Sequence, residues 1–145
     1  MVKRGRVLLV EQQKGARRYW LLPGGGVQRG ESLVEALARE VNEECGLHVE
    51  VLTPPLAVVE TISPDAGRSR HLVHLVFAAR ATGLDEPSPG DATVRDARWF
   101  GPEELGELVI HPPLHDLLAR WLESSPDEMT RPLPPQAWGG VRWVH

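Results

Sequence analysis

Three glutamates lie close together in the segment REVNEECG, residues 39–46: Glu40, Glu43 and Glu44. Like charges repel at such short range, so this group needs a source of positive charge. Carboxylate oxygens are the ligands that Mg²⁺ and Mn²⁺ prefer, and Mg²⁺ is usually held by one or two carboxylates together with substrate phosphates. The residue types and their spacing therefore indicate a divalent-metal site.

A helix is expected to position these carboxylates. Residues 31–45 have the periodicity of an amphipathic helix, and Gly46 is placed to end it. On a wheel of about 100° per residue, one stripe collects the apolar positions: Leu33, Ala36, Leu37, Val41 and Cys45. Glu40 and Glu44 fall inside or beside that stripe, whereas Arg39 falls on the opposite, solvent side. Since a buried, unpaired carboxylate is costly, the two inward-facing glutamates favour a metal site over a solvated acidic face.

Three glycines, Gly24 to Gly26, precede the predicted helix and follow a predicted strand. Without a Cβ atom, glycine allows the backbone to approach a ligand closely, so a carbonyl of this loop could join the metal ligands. Gly30 lets the chain turn into the helix, and Glu31 lies at the helix start, where the helix dipole favours negative charge.

The rest of the chain alternates β-like runs with helical segments, which indicates a mixed α+β domain over residues 1–124. Strands are predicted over 6–12, 18–23, 47–53, 56–62, 70–83 and 93–100, a short helix after Gly101, and an amphipathic helix over 112–124. Pro54 and Pro55 break the strand over 47–53, which resumes over 56–62. Residues 125–145 form a tail rich in Pro and Gly, in which Trp138 and Trp143 could anchor to this chain or to a second copy.

Length and composition fit a single globular domain that binds a small ligand. The 145 residues carry a net charge of -4 and no basic tract, which argues against general nucleic-acid binding. No apolar run approaches the ~18 residues that a membrane span requires. Because Cys45 is the only cysteine, no intrachain disulfide can form, and we expect a cytoplasmic protein.

The segment from Gly25 to Leu47 is similar to the signature of the Nudix hydrolase family. That signature is Gly, five residues, Glu, seven residues, Arg-Glu, an aliphatic residue, any residue, Glu-Glu, any residue, Gly and an aliphatic residue. This chain matches all nine fixed positions: Gly25, Glu31, Arg39, Glu40, Val41, Glu43, Glu44, Gly46 and Leu47. The segments RVLLVEQ, YWLLPGGG and ARWFGPEEL also resemble the family, so the likeness covers most of residues 3–122.

The resemblance implies an α/β/α sandwich with a mixed β-sheet and a loop–helix–loop that holds Mg²⁺ or Mn²⁺. It also implies hydrolysis of a diphosphate bond in a nucleoside diphosphate linked to another moiety. Such substrates include nucleoside triphosphates, oxidised ones among them, ADP-ribose and other nucleotide sugars, dinucleoside polyphosphates and capped RNA 5′ ends. The short, acidic chain favours the nucleoside triphosphates and ADP-ribose-type molecules.

The resemblance further implies roles for individual residues. The metal ligands it implies are Glu40, Glu43, Glu44 and the carbonyl of Gly25. It implies that Arg39 orients a glutamate and that Glu31 braces the loop by pairing with Arg39. The general base is Glu43, Glu40 or a carboxylate outside the signature. Asp91 lies in the region where family members often place such a carboxylate, but its loop is more typical of a solvated turn.

Outside the signature, the candidates for substrate contact are Trp20, Arg70 and His71. Trp20 and Tyr19 alternate on the strand before the glycines, so one faces inward and could stack on a base. His71 and His74 lie three residues apart on a strand and hence on opposite faces, and one of them could line the substrate pocket.

A second interpretation is a Nudix-fold module that binds a nucleotide and regulates a partner without catalysis. Such modules usually lose signature carboxylates, whereas all of them are present here. We therefore expect an enzyme, and we expect a homodimer because many family members dimerise.

Overall fold

The computed structural model describes residues 1–63, 70–83, 85–123 and 140–142, with the backbone alone described for Ser63, Arg70 and the last three. Trp138 and Trp143 therefore lie outside the described residues, as does the side chain of Arg70. Among the described helices, none combines the length and hydropathy that crossing a bilayer would require.

The first sheet is built around one strand that is apolar on both faces. In β2 (Arg6–Lys14) the four side chains of residues 7–10 are completely buried. This strand pairs antiparallel with β1 (Val2–Lys3), β3 (Arg17–Leu21) and β6 (Val94–Phe100), which gives a four-stranded sheet. Since alternate side chains point to opposite faces, β2 contributes to a hydrophobic core on each side of the sheet.

Helices cover both faces of this sheet. On one face lies α1 (Leu33–Cys45), whose buried apolar side chains share a core with Leu8 and Val10. On the other face lie α2 (Pro102–Leu105) and α3 (His115–Glu123), which share a core with the opposite side of β2. These layers confirm the expected α+β fold and its α/β/α sandwich.

A second sheet joins β4 (Val49–Ser63) to β5 (Arg70–Ala81) in antiparallel pairing. The short β7 (Gly140–Arg142) lies along β4 in parallel orientation, so this three-stranded sheet is mixed.

The sequence predicts that Pro54 and Pro55 break a strand that resumes over 56–62, and the structure shows this break as an interruption of pairing. A single strand, β4, runs through both prolines, and its pairing with β5 is interrupted between Leu52 and Ala57. Proline cannot donate a ladder hydrogen bond, and the interrupted pairing avoids the need for one.

Helix α1 begins at Leu33 rather than at Glu31 because Ser32 caps it. The Ser32 hydroxyl accepts a hydrogen bond from the Glu35 N–H at 3.3 Å, and the Glu35 carboxylate accepts one from the Ser32 N–H at 2.8 Å. This reciprocal pair is a capping box. The helix ends at Gly46 as predicted, in the left-handed conformation at φ 67°.

Candidate active site

Arg39 lies at the centre of the carboxylate group. Its Nε and Nη2 donate to the two oxygens of Glu31, at 3.1 and 2.8 Å. Its Nη1 donates to Glu40 at 2.8 Å and to Glu43 at 3.1 Å, and Nη2 also donates to the Gly26 carbonyl at 3.2 Å. The contact with Glu31, and next the one with Glu40, raise the pKa of Arg39. One guanidinium fork thus fixes three carboxylates and the loop.

The prediction that Arg39 points away from the acids is wrong. The helical wheel gives the direction in which a side chain leaves the helix, but the long Arg39 side chain turns back over the acidic residues and is only 23% exposed. Glu43 lies one turn further along the same row of the helix. The pairing between Arg39 and Glu31 that the resemblance implied is present.

Glu31 connects the glycine loop to the helix. Besides pairing with Arg39, its Oε1 accepts a hydrogen bond from the Gln28 N–H at 2.6 Å. The bonds to Arg39, and next the bond from Gln28, hold the pKa of Glu31 below its usual value. Glu31 therefore stays ionised and holds the loop while Arg39 reaches the other carboxylates.

Glu44 is buried, and no cationic side chain of the described residues pairs with it. Its residue exposure is 5%, and its Oε2 accepts a hydrogen bond from the Gly24 N–H at 2.9 Å. Its Oε1 lies 3.5 Å from the amide nitrogen of Gln12. Within the described residues, the ion pairs of the acidic group go to Arg39 and none of them includes Glu44.

Burial raises the pKa of Glu44 to about 7, against the opposing effect of the Gly24 hydrogen bond. The negative charges of Glu40, Asp91 and Glu43 raise it further. An acidic side chain that is kept buried among other acids is what a site reserved for a cation would require.

Gly25 is in direct contact with Glu40. A Cβ atom at this position would overlap the Glu40 carboxylate, whereas a Cβ at the neighbouring Gly26 would meet open space. The glycine therefore allows the backbone of the loop and a carboxylate of α1 to share one small volume.

The loop over residues 85–93 contacts the C-terminal end of α1. The sequence did not indicate this contact. The Ser88 N–H donates to the Cys45 carbonyl at 3.0 Å, and the Gly90 N–H donates to the Glu44 carbonyl at 3.1 Å. A Cβ at Gly90 would overlap the carbonyl oxygen of Glu43. These bonds satisfy carbonyls that the helix end would otherwise leave unpaired.

Asp91, in the same loop, is an exposed turn residue. Its Oδ1 accepts hydrogen bonds from the Thr93 hydroxyl at 2.6 Å and the Thr93 N–H at 2.5 Å. These bonds lower its pKa. An Asp that bonds to the backbone two residues further on is typical of a turn.

The donor chemistry of this group fits a hard divalent cation. Every donor is an oxygen atom, and one guanidinium pairs with three carboxylates, Glu31, Glu40 and Glu43, while Glu44 is a fourth carboxylate outside those ion pairs. Among the residues that the structure describes, no three His, Cys, Asp or Glu side chains converge as a ready-made metal cluster. The reason is that Glu40 and Glu43 are turned toward Arg39 while the Gly24 N–H holds Glu44.

A cavity of about 640 Å³ adjoins the carboxylates. The glycine loop and β5 supply much of its wall, and Tyr19 lines it with its ring 5.1 Å from that of His111. Tyr19 is the cross-strand partner of Gln12, whose amide lies against Glu44. Since paired residues lie on the same face of a sheet, the cavity reaches the acidic group through these two side chains.

The structure shows which of the residues proposed from the sequence for substrate contact line the cavity. Trp20 is 8% exposed and packs in the core against Phe100, with ring centroids 4.6 Å apart, so it does not line the cavity. Tyr19 is the aromatic residue of that strand that does. His71 is exposed and lies outside the cavity wall, whereas His74 belongs to it.

Comparisons with known proteins agree with this geometry. The family model described as NUDIX domain matches residues 1–138. The chain is 38% identical over 112 residues to the 8-oxo-dGDP phosphatase NUDT18 of Homo sapiens, covering 75% of this chain and 32% of that protein. It is 29% identical over 103 residues to the phosphatase NudJ of Escherichia coli strain K12, covering 70% of this chain and 63% of that protein.

A solved structure shows the same likeness. The MutT NUDIX hydrolase from Burkholderia pseudomallei superposes with a TM-score of 0.67 at 28% identity, covering 83% of this chain and 90% of that one. The chain spans about a third of the length of the human relative and less than two thirds of the Escherichia coli one.

Proposed function

Because this chain belongs to the Nudix hydrolase family, we propose that it hydrolyses the diphosphate bond of a nucleoside diphosphate derivative in the presence of Mg²⁺ or Mn²⁺. The observation that carries this proposal is the environment of Glu44. This carboxylate is buried, no cation of the described residues pairs with it, and two further carboxylates lie on the same helix. A structural acidic helix would expose these groups to water instead.

Glu40, Glu43, Glu44 and the carbonyl of Gly25 are the groups that would hold the metal. When bound, the metal supplies positive charge that polarises the phosphoryl oxygens and offsets the charge of the diphosphate. Arg39 keeps Glu40 and Glu43 in place, in the manner of an outer partner that orients the ligands of a metal.

Glu43 is our choice for the general base. Its side chain is 53% exposed, compared with 18% for Glu40 and 17% for Glu31, so water reaches it most readily. In the reaction, the oxygen of water bonds to one phosphorus as the bridging P–O bond breaks. Glu43 accepts the proton of the water, and the second phosphate leaves with the electron pair of the broken bond.

The first substrate that we propose is a nucleoside diphosphate with an oxidised purine base, because the human relative is named an 8-oxo-dGDP phosphatase. Hydrolysis would then give a nucleoside monophosphate and phosphate. Nucleoside triphosphates and ADP-ribose-type molecules contain the same bond and are the next candidates.

The test is hydrolysis of 8-oxo-dGDP, dGDP, the common nucleoside triphosphates and ADP-ribose with Mg²⁺, Mn²⁺ or EDTA. We expect metal-dependent turnover that falls by at least about a hundredfold in Glu44→Gln, the size seen when one strong electrostatic contact is removed. Glu50→Gln is the matched control, since Glu50 is an exposed residue of β4 whose cross-strand partner is Arg80 of β5. Nucleotide binding without turnover by the wild type would instead support the regulatory-module interpretation.

A further inference from the structure

A proline-rich segment, residues 86–91 with the sequence EPSPGD, lies against the last turn of α1, and we call it the brace. The N–H of Ser88 donates to the Cys45 carbonyl at 3.0 Å. The N–H of Gly90 donates to the Glu44 carbonyl at 3.1 Å. The two prolines of the brace alternate with these donors, so they occupy positions at which no N–H is needed. Because each proline ring fixes its own φ, the brace is stiff where it meets the helix.

Both ends of the brace are tied to the first sheet. At its start, Glu86 accepts a hydrogen bond from the ammonium group of Lys3 on β1 at 2.9 Å. At its end, Asp91 accepts a hydrogen bond from the Val94 N–H at 3.3 Å, where β6 begins. A stiff segment that is held at both ends can fix the position of the element that it contacts, which here is the C-terminal end of α1.

Gly90 is the point at which the brace approaches the helix most closely. A Cβ atom at this position would overlap the Glu43 carbonyl oxygen and would lie 3.4 Å from the carbonyl carbon of Glu44. The φ of Gly90 lies outside the left-handed region, unlike that of Gly46, so the conformation of the brace itself does not require a glycine. The contact with the peptide between Glu43 and Glu44 is what requires it.

That peptide joins two carboxylates of the candidate site. The Glu44 side chain accepts a hydrogen bond from the Gly24 N–H at 2.9 Å, while the Glu44 carbonyl accepts one from Gly90. Glu44 is thus held by the glycine loop at its carboxylate and by the brace at its backbone. Because Mg²⁺ requires nearly octahedral geometry at about 2.0–2.1 Å, a small displacement of this turn would weaken its binding by Glu43 and Glu44.

We propose that the brace positions Glu43 and Glu44 for metal binding and that Gly90 is its main positioning residue. Gly90 acts through the backbone of α1 and not through contact with metal or substrate. The brace rests on the proposed function, because only there are these two glutamates metal ligands.

The direct test measures Mn²⁺ binding by calorimetry in the full chain without nucleotide. Gly90→Ala should weaken the Mn²⁺ affinity by at least about tenfold, the lower end of the effect of losing an outer partner of a metal ligand. Gly106→Ala is the matched control, because its Cβ would meet open space and its φ of -63° suits any residue. We expect this control to bind Mn²⁺ as the wild type does.

Calorimetry also separates positioning from a loss of folding. A variant that is partly unfolded would show fewer binding sites per chain, with the affinity of each remaining site unchanged. A displaced turn of α1 would keep the number of sites and lower the affinity of each one, which is the result that we expect for Gly90→Ala.

A second variant loosens the brace without adding an atom to the contact. Pro89→Gly removes the fixed φ between the two donors and leaves both N–H groups in place. We expect the Mn²⁺ affinity to fall by about twofold to fivefold, because the brace must then be ordered each time the metal binds. This variant decides the question alone if Gly90→Ala does not fold.

The brace and the proposed function fail in different ways. Equal Mn²⁺ affinity of the wild type, Gly90→Ala and Pro89→Gly overturns the brace, even if the protein hydrolyses nucleotides. Weaker Mn²⁺ binding in both variants of a protein that hydrolyses no nucleotide derivative supports the brace and overturns the proposed function. A wild type that binds no Mn²⁺ at millimolar concentration overturns the brace and the metal requirement together.

Discussion

Replacing Glu44 with glutamine should make the metal-free protein more stable, although we expect it to abolish turnover. The Glu44 carboxylate is buried, and its hydrogen-bond partners are the Gly24 N–H and the amide of Gln12, neither of which carries a charge. Burial raises its pKa to about 7, so above that pH the folded protein holds a charge that water would solvate better. Glutamine keeps an oxygen acceptor for Gly24 and removes the charge.

The size of the effect follows from the shift of the Glu44 pKa. That pKa rises from 4.5 to about 7, and each pKa unit corresponds to about 1.4 kcal/mol, which sets an upper bound of about 3 kcal/mol. Because polar surroundings screen part of the charge, we expect a gain of about 1–2 kcal/mol at pH 8.

The sign of the pH dependence is also fixed. A raised carboxyl pKa stabilises the folded state fully below pH ~4.5, and this stabilisation is lost as the pH rises through about 7. The advantage of the glutamine variant over the wild type should therefore be small at about pH 5 and largest at about pH 8.

The assay is urea denaturation in EDTA at both pH values, with Glu50→Gln as the control for an exposed glutamate. Repeating the measurement with Mg²⁺ should stabilise the wild type and leave Glu44→Gln nearly unchanged, because ligand binding stabilises only the folded state that holds the site. A Glu44→Gln variant that is less stable than the wild type at pH 8 in EDTA would refute the reasoning, since the charge would then already be compensated without a metal.

Three further substitutions test the parts that hold the site. Gly25→Ala should weaken Mg²⁺ affinity by at least about tenfold, because its Cβ would overlap the Glu40 carboxylate. Gly26→Ala is the control and should leave the affinity unchanged, because its Cβ would meet open space. Calorimetry measures both affinities. Arg39→Lys should lower kcat by about tenfold to a hundredfold in a steady-state assay, since an ammonium group cannot reproduce the planar fork. Ser32→Ala should cost about 1 kcal/mol in urea denaturation by removing the helix cap, with kcat unchanged.

The elements that the sequence predicted well are those with local causes. The periodicity of α1, its end at Gly46 and the burial of Glu44 all follow from residues within a few turns of one another. The position of the Arg39 guanidinium did not follow, because a side chain with four rotatable bonds is placed by its partners and not by the helix. The course of β4 through its prolines depended on its pairing with β5, which lies more than ten residues away.

The sequence also could not decide which of Tyr19 and Trp20 faces the core. Alternation along a strand puts these two side chains on opposite faces, but it does not say which face is the core. The pairing of β3 with β2 decides this, because it places Tyr19 beside Gln12 and Trp20 beside Glu11. The place of Trp121 in the cavity wall could not be inferred from sequence either, since its helical spacing with other apolar residues indicates only core packing.

Among the described residues that are buried, Glu44 and Thr61 are the polar ones, and they lie on different elements, α1 and β4. Each occupies a place where an apolar side chain would cost less to bury. Glu44 contacts Gly24 and Gln12, and Thr61 contacts His74, so each buried polar side chain lies behind residues of the same cavity wall. The glycine loop belongs to the cavity wall and also contacts Glu40 and Glu44, so it connects the cavity to the carboxylates of α1. A protein that needed only to fold would have no reason to bury Glu44 among other acids, whereas the hydrolase that we propose needs that charge to hold a metal against a diphosphate.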